Sequence, residues 1–438
     1  MHRLPTLTRS LRLSRLYLPR CRTTLPSSTA RWNSTIPSRQ TPHTPVEDII
    51  LNHIKLTGPI SFATYMQLCL SHPDHGYYMN PANKVFGAGG DFITSPEISQ
   101  VFGELIALWL LQEYMRTAKG APLRIVELGP GKGTLLGDVL RVILKFAPQK
   151  SLNVHLVETS LALRDIQKGH LTSQNHSNVH LHWHNSISEI PPSSSEYTML
   201  VAHEFFDALP VHILQKKKET EQWHEVLIAS KDDKVRAPEG DEVAQEVPSP
   251  VSEESPSTLR RVLASKPSSV GAVLGLSSAR FGEMPEESFL EVSPTAFRIA
   301  RKVGELLTRG QPEDENASLG GCGLIIDYGG ARAYSDSLRA FKNHEIVDIF
   351  HEPGKFTPLG PTSQGSFLAK MGLGVRLRTL LQAAATEERQ QAIHSAAMRL
   401  IDPKGMGGQY QVLGITGERS KDPNAPPLEI WPFIQEEK

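Results

Sequence analysis

The chain has 438 residues, with 46 basic against 47 acidic side chains and 39% hydrophobic residues. That balance gives no basic surface for nucleic acid, and the cysteines at 21, 69 and 322 lack the spacing of a disulfide scaffold or a zinc site, so no metal is expected. The longest apolar run, Leu105 to Leu111 between Glu104 and Gln112, falls far short of the roughly 20 residues that cross a bilayer, so no integral membrane segment is expected.

From Met1 to Val46 there is no Asp, Glu or Lys, while Arg recurs at 3, 9, 12, 15, 20, 22, 31 and 39 among Ser, Thr and Leu. An Arg-rich, Ser-rich, acid-free leader has the character of a mitochondrial transit peptide. Residues 1–40 are therefore expected to address the chain to the mitochondrial matrix and to stand outside the fold.

Residues 45–120 form a helical and lid region. Helical spacing runs over Val46–Leu56 and over Ser61–Cys69, the second capped by Ser61. A loop rich in glycine and aromatics comes next, from His72 to Glu97, of the kind that closes over ligands. Helical spacing returns over Ser99–Met115.

From Leu123 the pattern alternates between strands and helices, with strands expected near 124–128, 153–158, 179–183 and 197–202. This predicts an α/β fold with a doubly wound, mostly parallel sheet spanning residues 121–438. Later strands fit Trp223–Ala229, Ser288–Val292, Leu324–Asp327 and Tyr410–Ile415. The stretch 230–257 is rich in Asp, Glu, Pro and Ser and reads as a disordered insertion. The run Lys216-Lys217-Lys218 reads as a solvated loop.

One segment carries most of the functional signal. Ile125-Val126-Glu127-Leu128 ends in an acid, Gly129, Gly131 and Gly133 come at every second position, and an amphipathic helix begins at Leu135. Glycine admits positive φ and close approach of a ligand to backbone, and the helix start offers free N–H groups. A dinucleotide fingerprint would need a third glycine at position 134, where the chain has Thr134. The E-x-G-x-G-x-G arrangement suits S-adenosylmethionine (SAM), with Glu127 placed for its ammonium or an ordered water. Glu158, closing the second strand, is placed to accept both ribose hydroxyls.

Several further stretches carry a resemblance: His75-Gly76-Tyr77-Tyr78, Gly90 to Glu104, Glu127 to Leu135, His203-Glu204-Phe205-Phe206-Asp207-Ala208-Leu209-Pro210 and Asp327-Tyr328-Gly329. On these the chain resembles the MidA family, whose eukaryotic members are mitochondrial protein arginine methyltransferases that assist assembly of respiratory complex I. The resemblance implies a class I methyltransferase fold of the Rossmann-like type, SAM as cofactor, and symmetric dimethylation of an arginine on a core subunit of the quinone module. It carries the cofactor turn onto Gly129, Gly131 and Gly133. The chain departs from the family after Gly354, where a block of about one helix and one strand is missing before the pattern resumes at Phe367. That departure keeps a second reading in play, a SAM-binding assembly chaperone with weak catalysis. The residues set no oligomeric state.

Methyl transfer asks mainly for positioning and exclusion of water. An arginine substrate stays protonated, so carboxylates must grip its guanidinium and orient one nitrogen. The turn after strand 197–202 supplies His203, Glu204 and Asp207, where ligands of open α/β sheets bind. Glu204 is the first candidate for the guanidinium, the alternative for Glu204 and Asp207 being a helix cap or a structural ion pair. His203 is either a proton relay or a packed ring, and Asp327 either faces the crevice or shapes a turn. In the lid, Asp91, Thr94, Ser95 and Glu97 are candidates to close over the cofactor; Tyr77 and Phe92 either stack on a ligand or belong to the core.

Overall fold

The computed structural model describes residues 43–80, 83, 93–118, 120–174, 177–231, 245–247, 258–310, 318–328, 340–342, 345–347, 363–416 and 431–433. Helix α1 (Pro45–Thr57) is capped by Thr44, whose Oγ accepts from the Glu47 N–H. A two-residue strand, β1 (Ile60–Ser61), leads into α2 (Phe62–Ser71), where Ser61 is the cap and accepts from the Thr64 N–H at 3.0 Å, as its position predicts. The short α3 (Ser95–Ile98) precedes α4 (Gln100–Thr117). That helix is apolar on nearly all sides, and accordingly it is wrapped by neighbours rather than laid on the surface.

The strands expected in the core are there: β2 (Leu123–Leu128), β3 (Leu152–Val157), β4 (Val179–His184) and β5 (Tyr197–His203), with α5 (Thr134–Phe146) and α6 (Leu161–Thr172) as crossovers. Alternate residues of these strands bury against opposite layers. Ile125, Met199 and Val201 join α4 and α5, whereas Val126, Leu128, Leu200 and Ala202 face the other side. A strand buried on both faces must sit inside a two-layered wrap, which is why β2 is buried along its whole length.

The chain then leaves this sheet. Strands β6 (His212–Lys216), β7 (Trp223–Ser230), β8 (Leu259–Leu263) and β9 (Phe289–Val292) pair antiparallel with one another, and β1 joins them on β7. The strands expected at 223–229 and 288–292 thus belong to a separate sheet. One face packs Ile213, Val226 and Ile228 on Ile50, Phe62 and Tyr65; the other packs Leu214 and Trp223 near the helices α7 (Ser269–Leu274) and α8 (Ala279–Gly282). Lys216 is not part of a solvated loop. It is 7% exposed, and its Nζ donates to the carbonyls of Gly282 at 2.9 Å and Met284 at 2.8 Å. Within the supposed disordered insertion, Val247 is buried and Glu246 bridges to Val262, so this stretch returns to the sheet; residues 232–244 and 248–257 lie outside the described residues.

Helix α9 (Pro294–Leu307) returns the chain to the core and covers the second face through Val303, Leu306 and Leu307. Strand β10 (Gly321–Tyr328) pairs parallel with β5. A small ladder of β11 (Ala340–Lys342) and β12 (Glu345–Val347) comes after it, and residues 348–362, which contain the departure from the family pattern, lie outside the described residues. Helices α10 (Gln364–Lys370), α11 (Leu373–Ala383), α12 (Glu387–Ile401) and α13 (Met406–Gln409) lead to β13 (Tyr410–Thr416), antiparallel to β10. The order β13-β10-β5-β2-β3-β4 gives the doubly wound, mostly parallel sheet. Among the described residues no helix is long and apolar enough to cross a membrane.

Candidate functional site

A crevice opens where β2, β3, β5 and β10 end, the place where open α/β sheets present ligands. Strand β2 runs directly into the glycine turn. Gly129, Gly131 and Gly133 take φ of 63°, 52° and 81°, values that only glycine adopts freely. The Gly129 N–H donates to the Val157 carbonyl at 3.0 Å, tying the turn to the neighbouring strand. A Cβ on Gly129 would lie 2.8 Å from Cδ2 of Phe205, so the first glycine is also needed for space. The fully buried Gln167 of α6 holds the turn from below. Its Nε2 donates to the Gly131 carbonyl at 2.8 Å and to Glu158 Oε2 at 3.3 Å, while its Oε1 accepts from Trp183 Nε1 at 2.8 Å. A single polar residue in a helix carries no local signal, and Gln167 was not among the sequence candidates.

Two cavities share this turn. The larger, about 460 Å³, is lined by Gly129, Gly131, Glu158, Asn185, Ser186, Ile187, Glu204, Phe205 and Asp207, with Leu70 and Tyr78 contributed by the N-terminal region. Its size falls in the range of roughly 300–1,000 Å³ usual for small-molecule sites. The smaller, about 50 Å³, is lined by Thr94, Glu97, Glu127, Lys132 and His203 among others, and Gly129, Gly131 and Glu204 face both.

The acidic candidates come together here. Glu127 is buried, its Oε2 lacks a hydrogen-bond partner, and burial pushes its carboxyl up to about 8. Glu158 stands at the end of β3, with Oε1 accepting from the Ser160 N–H at 2.8 Å, and burial raises it as well. Lys132 Nζ pairs with Glu97 Oε1 at 3.1 Å across the smaller cavity, while Glu97 Oε2 is buried without a hydrogen bond. An orphaned buried carboxylate oxygen beside a glycine cradle fits a ligand carrying an ammonium, so the donor set is suited to the methionyl end of SAM.

After β5 the chain turns sharply. Glu204 has φ of 50°, uncommon for a residue with a side chain, and its N–H donates to the Ile326 carbonyl at 2.9 Å. Asp327, next in line on β10, secures the rest of the turn. Its Oδ2 accepts from the N–H groups of Phe205, Phe206 and Asp207 at 3.1, 2.8 and 3.2 Å, and its Oδ1 from that of Tyr328 at 2.8 Å. With four backbone donors, Asp327 shapes the turn; burial raises it to about 6 against those donors. Glu204 Oε1 accepts from Tyr410 Oη at 2.5 Å. Burial lifts Glu204 to about 8, opposed by the Tyr410 hydrogen bond and assisted by Asp327 and Glu97. Asp207 has a buried, unpartnered Oδ1, and burial, then Asp327 and Glu204, push its carboxyl well up.

His203 is packed near Phe102 and Tyr410, with ring centroids 5.1 and 6.0 Å away, and burial pulls it down to about 3. A ring held neutral so firmly is a poor proton acceptor, which moves the proton-relay role away from His203. Thr94 precedes α3, makes no side-chain cap and lines the smaller cavity. Ser95 is buried and its Oγ donates to Gln364 Oε1 at 3.1 Å, a structural tie to α10. Tyr77 is buried in the core and lines neither of these cavities; Tyr78 beside it does line the larger one. Asp91 and Phe92 lie outside the described residues. His182 stacks on His155 at 5.0 Å, and no group of His, Cys, Asp and Glu suited to a metal occurs among the described residues.

The profile of the S-adenosyl-L-methionine-dependent methyltransferase family Methyltransf_28 matches residues 105–357. Among curated proteins, the chain is 34% identical to "Protein arginine methyltransferase NDUFAF7, mitochondrial" of Danio rerio, over 84% of this chain and 86% of that one. It is 36% identical to the Drosophila melanogaster homolog over 82% of each chain, and 31% identical to the Homo sapiens protein over 86% of this chain and 84% of that one. Among solved structures, a COG1565 superfamily protein from Burkholderia thailandensis bound to S-adenosyl-homocysteine superimposes with a TM-score of 0.62, at 22% identity, covering 84% of this chain and 91% of that chain.

Proposed function

This chain belongs to the S-adenosyl-L-methionine-dependent methyltransferase family Methyltransf_28, and on that premise we propose that it methylates arginine side chains of a mitochondrial protein. The observation that carries the arginine reading is the pair Glu204 and Asp207 on the wall of the larger cavity, both with carboxyls raised by burial. A cation arriving beside carboxyls raised by burial favours their charged form, which is the form that grips a guanidinium. The names of the relatives, arginine methyltransferases of mitochondria, support the same substrate class and compartment.

When bound, SAM supplies an electrophilic methyl on a sulfonium. In this reading the turn Gly129–Gly133 takes the methionyl end, with Glu127 facing its ammonium and Thr94 on the lid side. Glu158 accepts the ribose hydroxyls, and Asn185 to Ile187 lie along the rest of the larger cavity. Glu204 and Asp207 grip the guanidinium and aim one nitrogen at the methyl. Methyl transfer to a protonated guanidinium would leave one cation and release one proton. That proton leaves the guanidinium for Glu204 or Asp207, whose raised affinities suit them to receive it near neutral pH. His203 stays neutral and packs behind Glu204.

The family resemblance supports the finer reading: symmetric dimethylation, a core subunit of the quinone module of complex I as substrate, promotion of complex I assembly, and residence in the matrix, to which the Arg-rich leader points. The test is transfer of a labelled methyl from SAM to that subunit, with mass spectrometry reading the modified residue. Symmetric dimethylarginine is the expected product. Label on lysine or on a carboxylate would overturn the arginine assignment.

Glu158→Ala bears on the cofactor half. Loss of two charge-assisted hydrogen bonds at about 1–3 kcal/mol each, partly replaced by water, should weaken SAM binding by roughly ten- to hundredfold in calorimetry. An unchanged dissociation constant would mean that Glu158 serves only its hydrogen bonds with Ser160 and Gln167.

A further inference from the structure

Strand β13 contributes a residue whose place in the site no local motif announces. Tyr410 is 1% exposed and stands opposite Tyr328 in the β10–β13 register. Its Oη donates to Glu204 Oε1 at 2.5 Å, and its ring lies parallel to that of His203, 3° between planes. The hydroxyls of Tyr328 and Tyr410 are in hydrogen-bond contact. Because the Tyr410 proton is committed to Glu204, Tyr328 must be the donor in that contact. A two-tyrosine chain therefore ends on one oxygen of one carboxylate.

Both of these contacts of the Glu204 carboxylate fall on the same atom, since His203 Nε2 also approaches Oε1, at 3.7 Å. Glu204 itself lines both cavities. Resting on the reading of Glu204 as the guanidinium-gripping acid, we infer that Tyr410 is a positioning residue of the methyl-transfer site: it commits Oε1, leaves Oε2 for the substrate, and favours the ionised form needed to grip it.

The surroundings make that second effect necessary. Glu204 is faced by Asp327 and Tyr328 on β10, Asp207 in its own turn, His203 on β5 and Glu97 on α3, with Lys132 already paired to Glu97. Burial and the nearby acids raise the Glu204 carboxyl, and the Tyr410 hydrogen bond is what lowers it. Removing the donor must therefore shift ionisation of Glu204 to higher pH.

The test compares Tyr410→Phe with the full wild-type chain. The acid limb of the kcat profile should move up by about one pH unit, a neutral-to-charged hydrogen bond being worth about that much. At neutral pH kcat should fall roughly tenfold, with the loss largely recovered at high pH and the SAM dissociation constant unchanged within about twofold. Tyr328→Phe should move the limb in the same direction by less. A second readout needs no turnover: an infrared titration of the protonated-carboxyl band, assigned by its absence in Glu204→Gln. That band should persist to higher pH in Tyr410→Phe than in wild type. A limb and a band that both stay in place, or a loss of kcat equal at every pH, would overturn the positioning role. Wild-type protein that transfers no methyl to arginine would instead overturn the proposed function, while the infrared titration still decides the role of Tyr410.

Discussion

Glu204→Gln should reduce methyl transfer to arginine by about three orders of magnitude, some 4 kcal/mol of transition-state stabilisation, with SAM affinity held within a few-fold. The amide fills the same space and still offers an oxygen to Tyr410. It cannot supply charge to orient a guanidinium, and it cannot take the proton that leaves as the N–C bond forms. The strained backbone is also controlled for, because glutamine must adopt the same φ of 50°. Stability gives an internal check. An acid whose value rises from 4.5 to about 8 on folding costs stability as pH climbs through that window. The variant lacks that penalty, so above pH 8 it should melt no lower than wild type. Mass spectrometry of the target arginine reads the first effect and thermal denaturation the second. A variant retaining about a tenth or more of wild-type turnover would remove Glu204 from the mechanism.

Gly131→Val should abolish measurable SAM binding while circular dichroism stays that of the wild type. Gly131 sits at φ of 52°, between two glycines that are also left-handed. A β-branched residue there is a severe outlier, and its methyls would project where a ligand approaches backbone. The fold should survive because the strand before the turn is wholly buried and the helix after it keeps its apolar face. At ligand concentrations about a hundredfold above the wild-type dissociation constant, SAM should stabilise wild type by about 2.7 kcal/mol and the variant not at all. Gly131→Ala separates the causes: equal loss in both variants points to backbone conformation, and a much milder alanine points to bulk. Wild-type affinity in the valine variant would remove the cradle from the cofactor site.

The glycine turn is legible in the sequence because its requirements are local. A strand, three alternating glycines and a helix leave their spacing in a dozen consecutive residues, and an acid closes the next strand. The position of Glu204 and Asp207 at the strand end is legible for a related reason, since they come directly after a buried strand. The contacts that tune them are not. Tyr410 reaches Glu204 across 206 positions and Tyr328 meets Tyr410 across 82, and hydrogen bonds between such distant partners leave no periodicity to read. Lys216 misled for the same reason, as the carbonyls that satisfy it come from Gly282 and Met284. The sequence pattern also marks Trp223–Ala229 as a strand without revealing its sheet, because the same pattern serves a layer packed on α1 and α2 and one packed on α4.

Three successive amide N–H groups, those of Phe205, Phe206 and Asp207, converge on one oxygen of Asp327. A concavity of backbone donors like this is what phosphates and carboxylates ordinarily seek. Here it is plugged from within the chain. Asp327 thus fills, with a carboxylate of the chain itself, a ring of amide donors that would otherwise be open to an external anion.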